Sequence, residues 1–396
     1  MVQVLPARRF GITGNPDYEG QPFTDFSSVT PETDVSCLNL NWRENDLPEW
    51  QRTKHVHRLH PYLGKFVPQL VEVFLRKYRP STVLDPFCGS GTTLVEAATL
   101  GIDSIGSDVS VFNCLLARVK TDRYDLALLE TEIHDILMRL EDELQPSMFS
   151  IMRETDQYLY QWFAPQARDE LFLYRSLIPG YTYHDILKVI LSRSARSARL
   201  TTHFDLDFPR RPTLKEYECH KHGRICRPVQ EARRFLHRYS LDTVKRVKEF
   251  AQIRQSAQAC ILPGDARALR FPDCDLVITS PPYVGLIDYH QQHRYAYELL
   301  GLKDNKPDEI GASWKGNSRK AVAQYVDDMT SAFENVGKSL PQGGRMVVVV
   351  HDKRDLYDGI ADRLGFTVEY RLQRHVNRRT GRRAGDFFED VIVWRR

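Results

Sequence analysis

Asp275-Leu276-Val277-Ile278-Thr279-Ser280-Pro281-Pro282-Tyr283 reads as a buried strand stopped by two prolines. Leu276, Val277 and Ile278 form the short apolar run of a central parallel strand. Pro281 and Pro282 have no N–H to donate, so the ladder ends there. The chain therefore leaves the sheet at the strand's carboxyl end, where open α/β sheets bind ligands. The exit offers the Ser280 hydroxyl, two backbone carbonyls held by rigid rings, and the Tyr283 ring. Acceptors for N–H beside an aromatic face suit a planar group that carries an amine.

Upstream, Ser81-Thr82-Val83-Leu84-Asp85-Pro86-Phe87-Cys88-Gly89-Ser90-Gly91-Thr92-Thr93 predicts a strand, a glycine turn and a helix. The glycines let backbone approach a ligand with no Cβ in the way, and Thr92 or Thr93 caps the helix. The turn lacks the Gly-Lys-Ser/Thr ending of a phosphate loop and the third glycine of a dinucleotide loop. An acid at the strand end, Asp85, suits a cationic amine such as that of an amino acid. A second strand over 104–108 ends in Asp108, placed to reach ribose hydroxyls or to cap the helix over 111–119. A further strand ends in Gly264-Asp265-Ala266. An apolar central strand over 345–350 and an antiparallel pair over 365–368 and 390–394 complete the sheet.

Together these motifs resemble the DNA methyltransferases that modify exocyclic amino groups. Thr279-Ser280-Pro281-Pro282-Tyr283 is similar to their catalytic motif, and Asp85-Pro86-Phe87-x-Gly89-x-Gly91-Thr92-Thr93 to their cofactor motif. The resemblance covers about 55–120 and 258–396. It implies an α/β fold, a Rossmann-like seven-stranded methyltransferase sheet with a mostly helical inserted target-recognition domain. It also implies S-adenosylmethionine as cofactor. By the same likeness His60-Pro61-Tyr62-Leu63-Gly64-Lys65-Phe66 closes over the methionine end through Lys65 and Phe66. Asp265 and Ala266 sit beside the adenine amine, and Asp108 takes the ribose. The chain then divides into an N-terminal arm (1–54), a cofactor half (55–121), an insert (122–257) and a catalytic half (258–396). Cofactor motif, insert, then catalytic motif is the alpha order of this family.

The insert differs in character. Helical patterns run over 126–144, 157–177 and 183–200. Residues 188–254 carry seventeen Lys/Arg against seven Asp/Glu. Net charge is only +3, so a nucleic-acid surface must come from such clustering. Arg193, Arg196 and Arg199 recur every three residues and gather near one side of a helix. With Arg210, Arg211, Lys221 and Arg224 they are the expected contacts to double-stranded DNA. Cys219-x6-Cys226 with two interior histidines could bind zinc, but it lacks the usual Cys-x2-Cys clip. DNA contact is the expectation there, and no metal. His55, His57 and His60 likewise lack acid or cysteine neighbours in sequence. Seven scattered cysteines form no disulfide framework and fit a reducing cytoplasm. No stretch reaches membrane-span length.

The resemblance implies that Tyr283 stacks on a flipped base while Ser280 and the Pro281 carbonyl accept the hydrogens of its amine. Ser at position 280 points to the N4 amine of cytosine; the alpha order is more often that of N6-adenine enzymes, and the related Asn/Asp-Pro-Pro-Tyr motifs of RNA amino-methyltransferases give a further alternative. Methylation at cytosine C5 is disfavoured, because Pro282 stands where that chemistry needs a cysteine. A monomer or homodimer, working beside a cognate restriction endonuclease, is the expected organisation.

Overall fold

The computed structural model describes residues 22–43, 45–64, 66–142, 157–203, 205–285, 288–376 and 387–396. Its strands are β1 (Thr82–Asp85), β2 (Asp103–Asp108), β3 (Tyr217–Cys219), β4 (Arg224–Cys226), β5 (Ala259–Pro263), β6 (Leu276–Thr279), β7 (Arg345–Val350), β8 (Thr367–His375) and β9 (Phe388–Arg395). Seven form one sheet in the order β5-β2-β1-β6-β7-β9-β8, and β3 pairs with β4 in a separate hairpin. From β5 to β7 the pairing is parallel; β9 runs antiparallel to both β7 and β8.

The chain builds outward from β1 through β2 to β5, then returns to place β6 on the other side of β1. That reversal opens a crevice at the carboxyl ends of β1 and β6, the place where doubly wound sheets take ligands. All four residues of β6 are buried. Its register is pinned at the start by Asp275, whose carboxylate accepts from the Ser81 and Thr82 N–H groups at 2.8 and 3.0 Å. Beside it, Met346 to Val350 are buried in sequence, each side chain stabilising by about 1.5–3 kcal/mol on burial.

Helix Pro68–Tyr78 starts on Pro68, whose missing N–H is no loss in a first turn. Helix Thr92–Leu100 follows the glycine turn, and Gly91 itself occupies the N-cap position. Thr92 and Thr93 are therefore not the cap; the Thr93 hydroxyl is turned to Asp85 instead. The 157–177 pattern divides into helices Gln157–Trp162 and Pro165–Leu177, because Pro165 cannot continue a preceding helix. Residues 35–40 lie before the first helix of the core. They pass through a 3-10 turn, Val35–Cys37, and bury Val35, Leu38 and Leu40 against helix Pro68–Tyr78.

The insert contributes helices Leu126–Asp142, His184–Ala198 and Arg233–Ile253. Their apolar faces join one cluster with Phe112, Leu115 and Leu116 of the cofactor half and Tyr295 of the catalytic half. The β3–β4 hairpin is a non-helical element that hydrophobic periodicity does not reveal, since each strand is only three residues long. No helix among the described residues is long and apolar enough to cross a membrane.

Candidate active site

A cleft open to solvent lies over the crevice. Phe66, Pro86, Phe87, Gly89, Thr92, Asp108, Asp265, Ala266, Ser280 and Pro282 all line it. Two motifs nearly 200 residues apart thus share one cavity, because β1 and β6 are neighbours in the sheet. Lys65 lies outside the described residues.

The glycine turn has no room for side chains. Gly89 sits at φ +49°, and a Cβ there would lie 2.9 Å from the Tyr62 hydroxyl. Gly91 sits at φ +81°, with the Ala117 Cα 3.0 Å from its would-be Cβ. Asp108 ties this turn to β2: its Oδ2 accepts from the Gly89 N–H at 3.0 Å and its Oδ1 from the Ser110 N–H at 2.8 Å. The cap of the following helix is Ser110, which accepts from the Asn113 N–H. Asp108 is thus left facing the cleft.

Asp85 does not face the cleft. It is 1% exposed, and its oxygens accept from Thr93 Oγ1 at 2.6 Å and Thr279 Oγ1 at 2.7 Å. It also accepts from the Phe87 N–H at 3.2 Å. The carboxylate joins β1, β6 and the glycine-turn helix, so the structure assigns it to holding the crevice together rather than to meeting a ligand amine directly. Burial raises its pKa to about 6, and burial does the same to Asp108. A carboxyl raised above its unfolded value stabilises most when protonated, and that share is lost as pH rises through about 6. The share of these two carboxyls is therefore larger at pH 5 than at pH 7, opposite in sign to that of the buried neutral His55, His60 and His293, which is lost as pH falls through about 6.5. Substituting both Asp85→Asn and Asp108→Asn should shift the change in melting temperature between pH 5 and pH 7 toward greater relative stability at pH 7 in calorimetry.

Asp265 lines the cleft but is already held by Arg267, with contacts of 2.9 and 2.6 Å to its Oδ2. Tyr283 stands just past Pro282. Its hydroxyl donates to Glu389 Oε1 at 3.4 Å, and its ring centroid is 6.4 Å from that of His351. Burial pushes its phenol pKa up, with the Glu389 charge adding to the shift and the Ser280 hydroxyl opposing it. The Pro282 carbonyl accepts from the Tyr325 hydroxyl at 2.9 Å, which fixes the proline turn.

Three further cleft residues lie outside the expected set. Tyr62 covers the glycine turn, stacked on Tyr289 at 5.9 Å and on His293 at 5.6 Å. Tyr289 also lines the cleft, so the segment before the cofactor motif and the one after Tyr283 close on the same cavity. Glu309 is 4% exposed and held by His290 through Oε1, while its Oε2 is buried with no hydrogen-bond partner. An orphaned carboxylate oxygen on a cleft wall is an acceptor awaiting a ligand donor. Tyr62, inside the His-Pro-Tyr motif, and Tyr289, in the polar run just past Tyr283, had a sequence signal; Glu309 had none.

The expected phosphate contacts separate into two groups. Arg193 is 7% exposed, pairs with Asp242 at 2.7 Å and lies 4.1 Å above the Tyr239 ring. Arg196 pairs with Asp207. Arg199 is 3% exposed and lies 4.5 Å above the Tyr295 ring. These three arginines are engaged inside the protein, which corrects the reading of them as a phosphate-tracking stripe. Arg210, Arg211, Lys221 and Arg224 are exposed.

The sheet order, the glycine turn beneath the cleft and the proline-stopped strand beside it define a Rossmann-like methyltransferase fold. A family model described as DNA methylase matches residues 24–118. The chain is 35% identical over 430 aligned positions to the Type II methyltransferase M.MjaII of Methanocaldococcus jannaschii, covering 87% of this chain and 81% of that one. It is 22% identical over 305 positions to the Type II methyltransferase M.MvaI of Kocuria varians, covering 69% and 66%. Among solved structures it is similar to TrmN from Thermus thermophilus, with a TM-score of 0.33 at 15% identity, covering 84% and 50%. The chain belongs to the amino-group DNA methyltransferases, the N6/N4 DNA methylase family of Type II enzymes. Its methyl donor is S-adenosylmethionine, and the cleft fits that molecule. Side-chain-free backbone at Gly89, the acid at Asp108 and the unpartnered Glu309 oxygen supply the close approach and the acceptors that an amino acid joined to a nucleoside requires.

Proposed function

We propose that the enzyme methylates the exocyclic N4 amine of a cytosine flipped out of duplex DNA, as one half of a restriction-modification system. The observation that carries this is Ser280, a hydroxyl rather than a carboxylate, at the carboxyl end of β6 on the cleft wall. A base amine is a poor nucleophile because its lone pair is delocalised into the ring, so its hydrogens must be drawn out of the ring plane. Ser280 Oγ and the Pro281 carbonyl accept those hydrogens, and Tyr283 gives the base a face to stack on. Asp108 and Glu309 hold hydroxyl and amine groups of the donor, Asp265 and Ala266 flank its adenine, and Phe66 covers it. When bound, the donor supplies an electrophilic methyl group on sulfur. The residues named here position and polarise; none becomes a covalent nucleophile.

Arg210, Arg211, Lys221 and Arg224 carry the DNA backbone contact. Substituting Arg210→Ala and Arg211→Ala together is expected to reduce the slope of log K against log salt by about 2. Arg193→Ala leaves that slope unchanged and instead lowers stability by about 1–3 kcal/mol, since it removes a buried ion pair and the contact with the Tyr239 ring while Asp242 keeps Arg246 at 3.4 Å. Filter binding at several salt concentrations, beside thermal melts, separates the two.

Methylome sequencing of cells expressing the protein, by a method that does not depend on bisulfite, tests the base assignment. N4-methylcytosine at one recurring sequence is the expected result. N6-methyladenine in its place would move the enzyme to the adenine branch of the same family.

A further inference from the structure

We propose that His203, Cys219, His222 and Cys226 bind one zinc ion, which staples the β3–β4 hairpin to the loop before it. This assignment rests on no part of the methylation chemistry. The four side chains each offer one ligand atom, and these atoms all lie within 4.8 Å of one another. The set is two thiols and two imidazoles, the composition of closed structural zinc sites.

The spacing is that of a tetrahedral ion's ligands. With Zn–S of about 2.3 Å and Zn–N of about 2.05 Å, sulfur and nitrogen across a tetrahedral angle stand ~3.6 Å apart. Cys219 Sγ lies 3.5 Å from His203 Nδ1 and 3.7 Å from His222 Nδ1. Cys226 Sγ lies 3.5 Å from His222 Nδ1. Thiol–imidazole hydrogen bonds do not account for this grouping. His222 Nδ1 faces two sulfurs at once, and one ring nitrogen has one lone pair or one hydrogen to offer. A cation at the centre satisfies all four groups together.

Local structure is arranged for it. Both cysteines are buried and unpaired, at 3% and 7% exposure. The His222 and Gly223 N–H groups both donate to the Cys219 carbonyl, at 3.0 and 2.8 Å, curling the turn back over the first thiol. Gly223 takes φ +61° to allow it. The Tyr217 hydroxyl accepts from the His203 backbone N–H at 3.1 Å and so seats that loop against β3. It also lies 3.0 Å from His203 Nδ1, a contact that metal binding replaces. A hairpin of two three-residue strands has little apolar surface to bury and does not hold its shape in water unaided. The ion supplies the missing constraint, and the hairpin carries Lys221, Arg224 and the 61%-exposed Ile225 on its outer surface.

Elemental analysis of the full-length protein, purified without chelator, tests the assignment. About one zinc per chain is expected. Cys219→Ser with Cys226→Ser should lower it about tenfold or more, while Cys37→Ser with Cys260→Ser, at two exposed cysteines away from the cluster, keeps it. If the first variant fails to fold, wild-type protein stripped of metal and given cobalt decides the matter: thiolate-to-cobalt charge-transfer absorption supports the site. Zinc retained by the Cys219/Cys226 variant, or wild-type protein with neither bound zinc nor that absorption, overturns it. Methyl transfer is not the readout, so failure here leaves the catalytic reading untouched.

Discussion

Ser280→Ala should lower kcat for methyl transfer by about 10²–10³-fold while leaving donor affinity within about twofold. The hydroxyl stands at the end of β6, and β6 is clamped by β1 on one side and β7 on the other. That anchoring fixes the acceptor before any substrate arrives, so its loss is felt in the chemical step and not in ground-state binding. The fold should survive, because the four residues of β6 are buried independently of Ser280. Single-turnover rates beside calorimetric donor titrations make the distinction. A variant with unchanged rate would remove Ser280 from the mechanism.

Gly91→Ala should cost several kcal/mol of stability and abolish measurable donor binding. The residue sits at φ +81°, where an alanine is strained by about 1–2 kcal/mol. The added methyl would also meet backbone: the Ala117 Cα lies 3.0 Å away on a buried helix. Backbone cannot step aside as a side-chain tip can, so the turn must shift and carry Gly89 and Thr92 with it. Gly89→Ala is the informative contrast. Its methyl would meet the Tyr62 hydroxyl at 2.9 Å, and that ring is stacked on Tyr289 and His293. Melting temperature and isothermal titration with the donor read both variants.

What the sequence disclosed was local. A proline-stopped apolar run and a glycine turn announce themselves in a few residues, and both motifs meet at the switch between β1 and β6 as expected. The final pair, β8 and β9, was legible for the same reason. Side chains whose partners are distant in the chain were not legible. Arg193 was expected at a phosphate, yet its acid is Asp242, 49 residues away. Asp85 was expected to meet an amine, yet one of its two hydroxyl partners is Thr279, 194 residues away. His203 stands 16 residues before Cys219, outside any window in which a metal motif would be sought. Glu309 has no motif around it, and only the fold brings it to the cleft.

Transfer of a labelled methyl group from S-adenosylmethionine to duplex DNA, followed by digestion to nucleosides, tests the central claim most directly. Label recovered as N4-methylcytosine, and lost with Ser280→Ala, is the predicted result. Label recovered at cytosine C5, or in N4-methylcytosine at an undiminished rate from the Ser280→Ala enzyme, would contradict it.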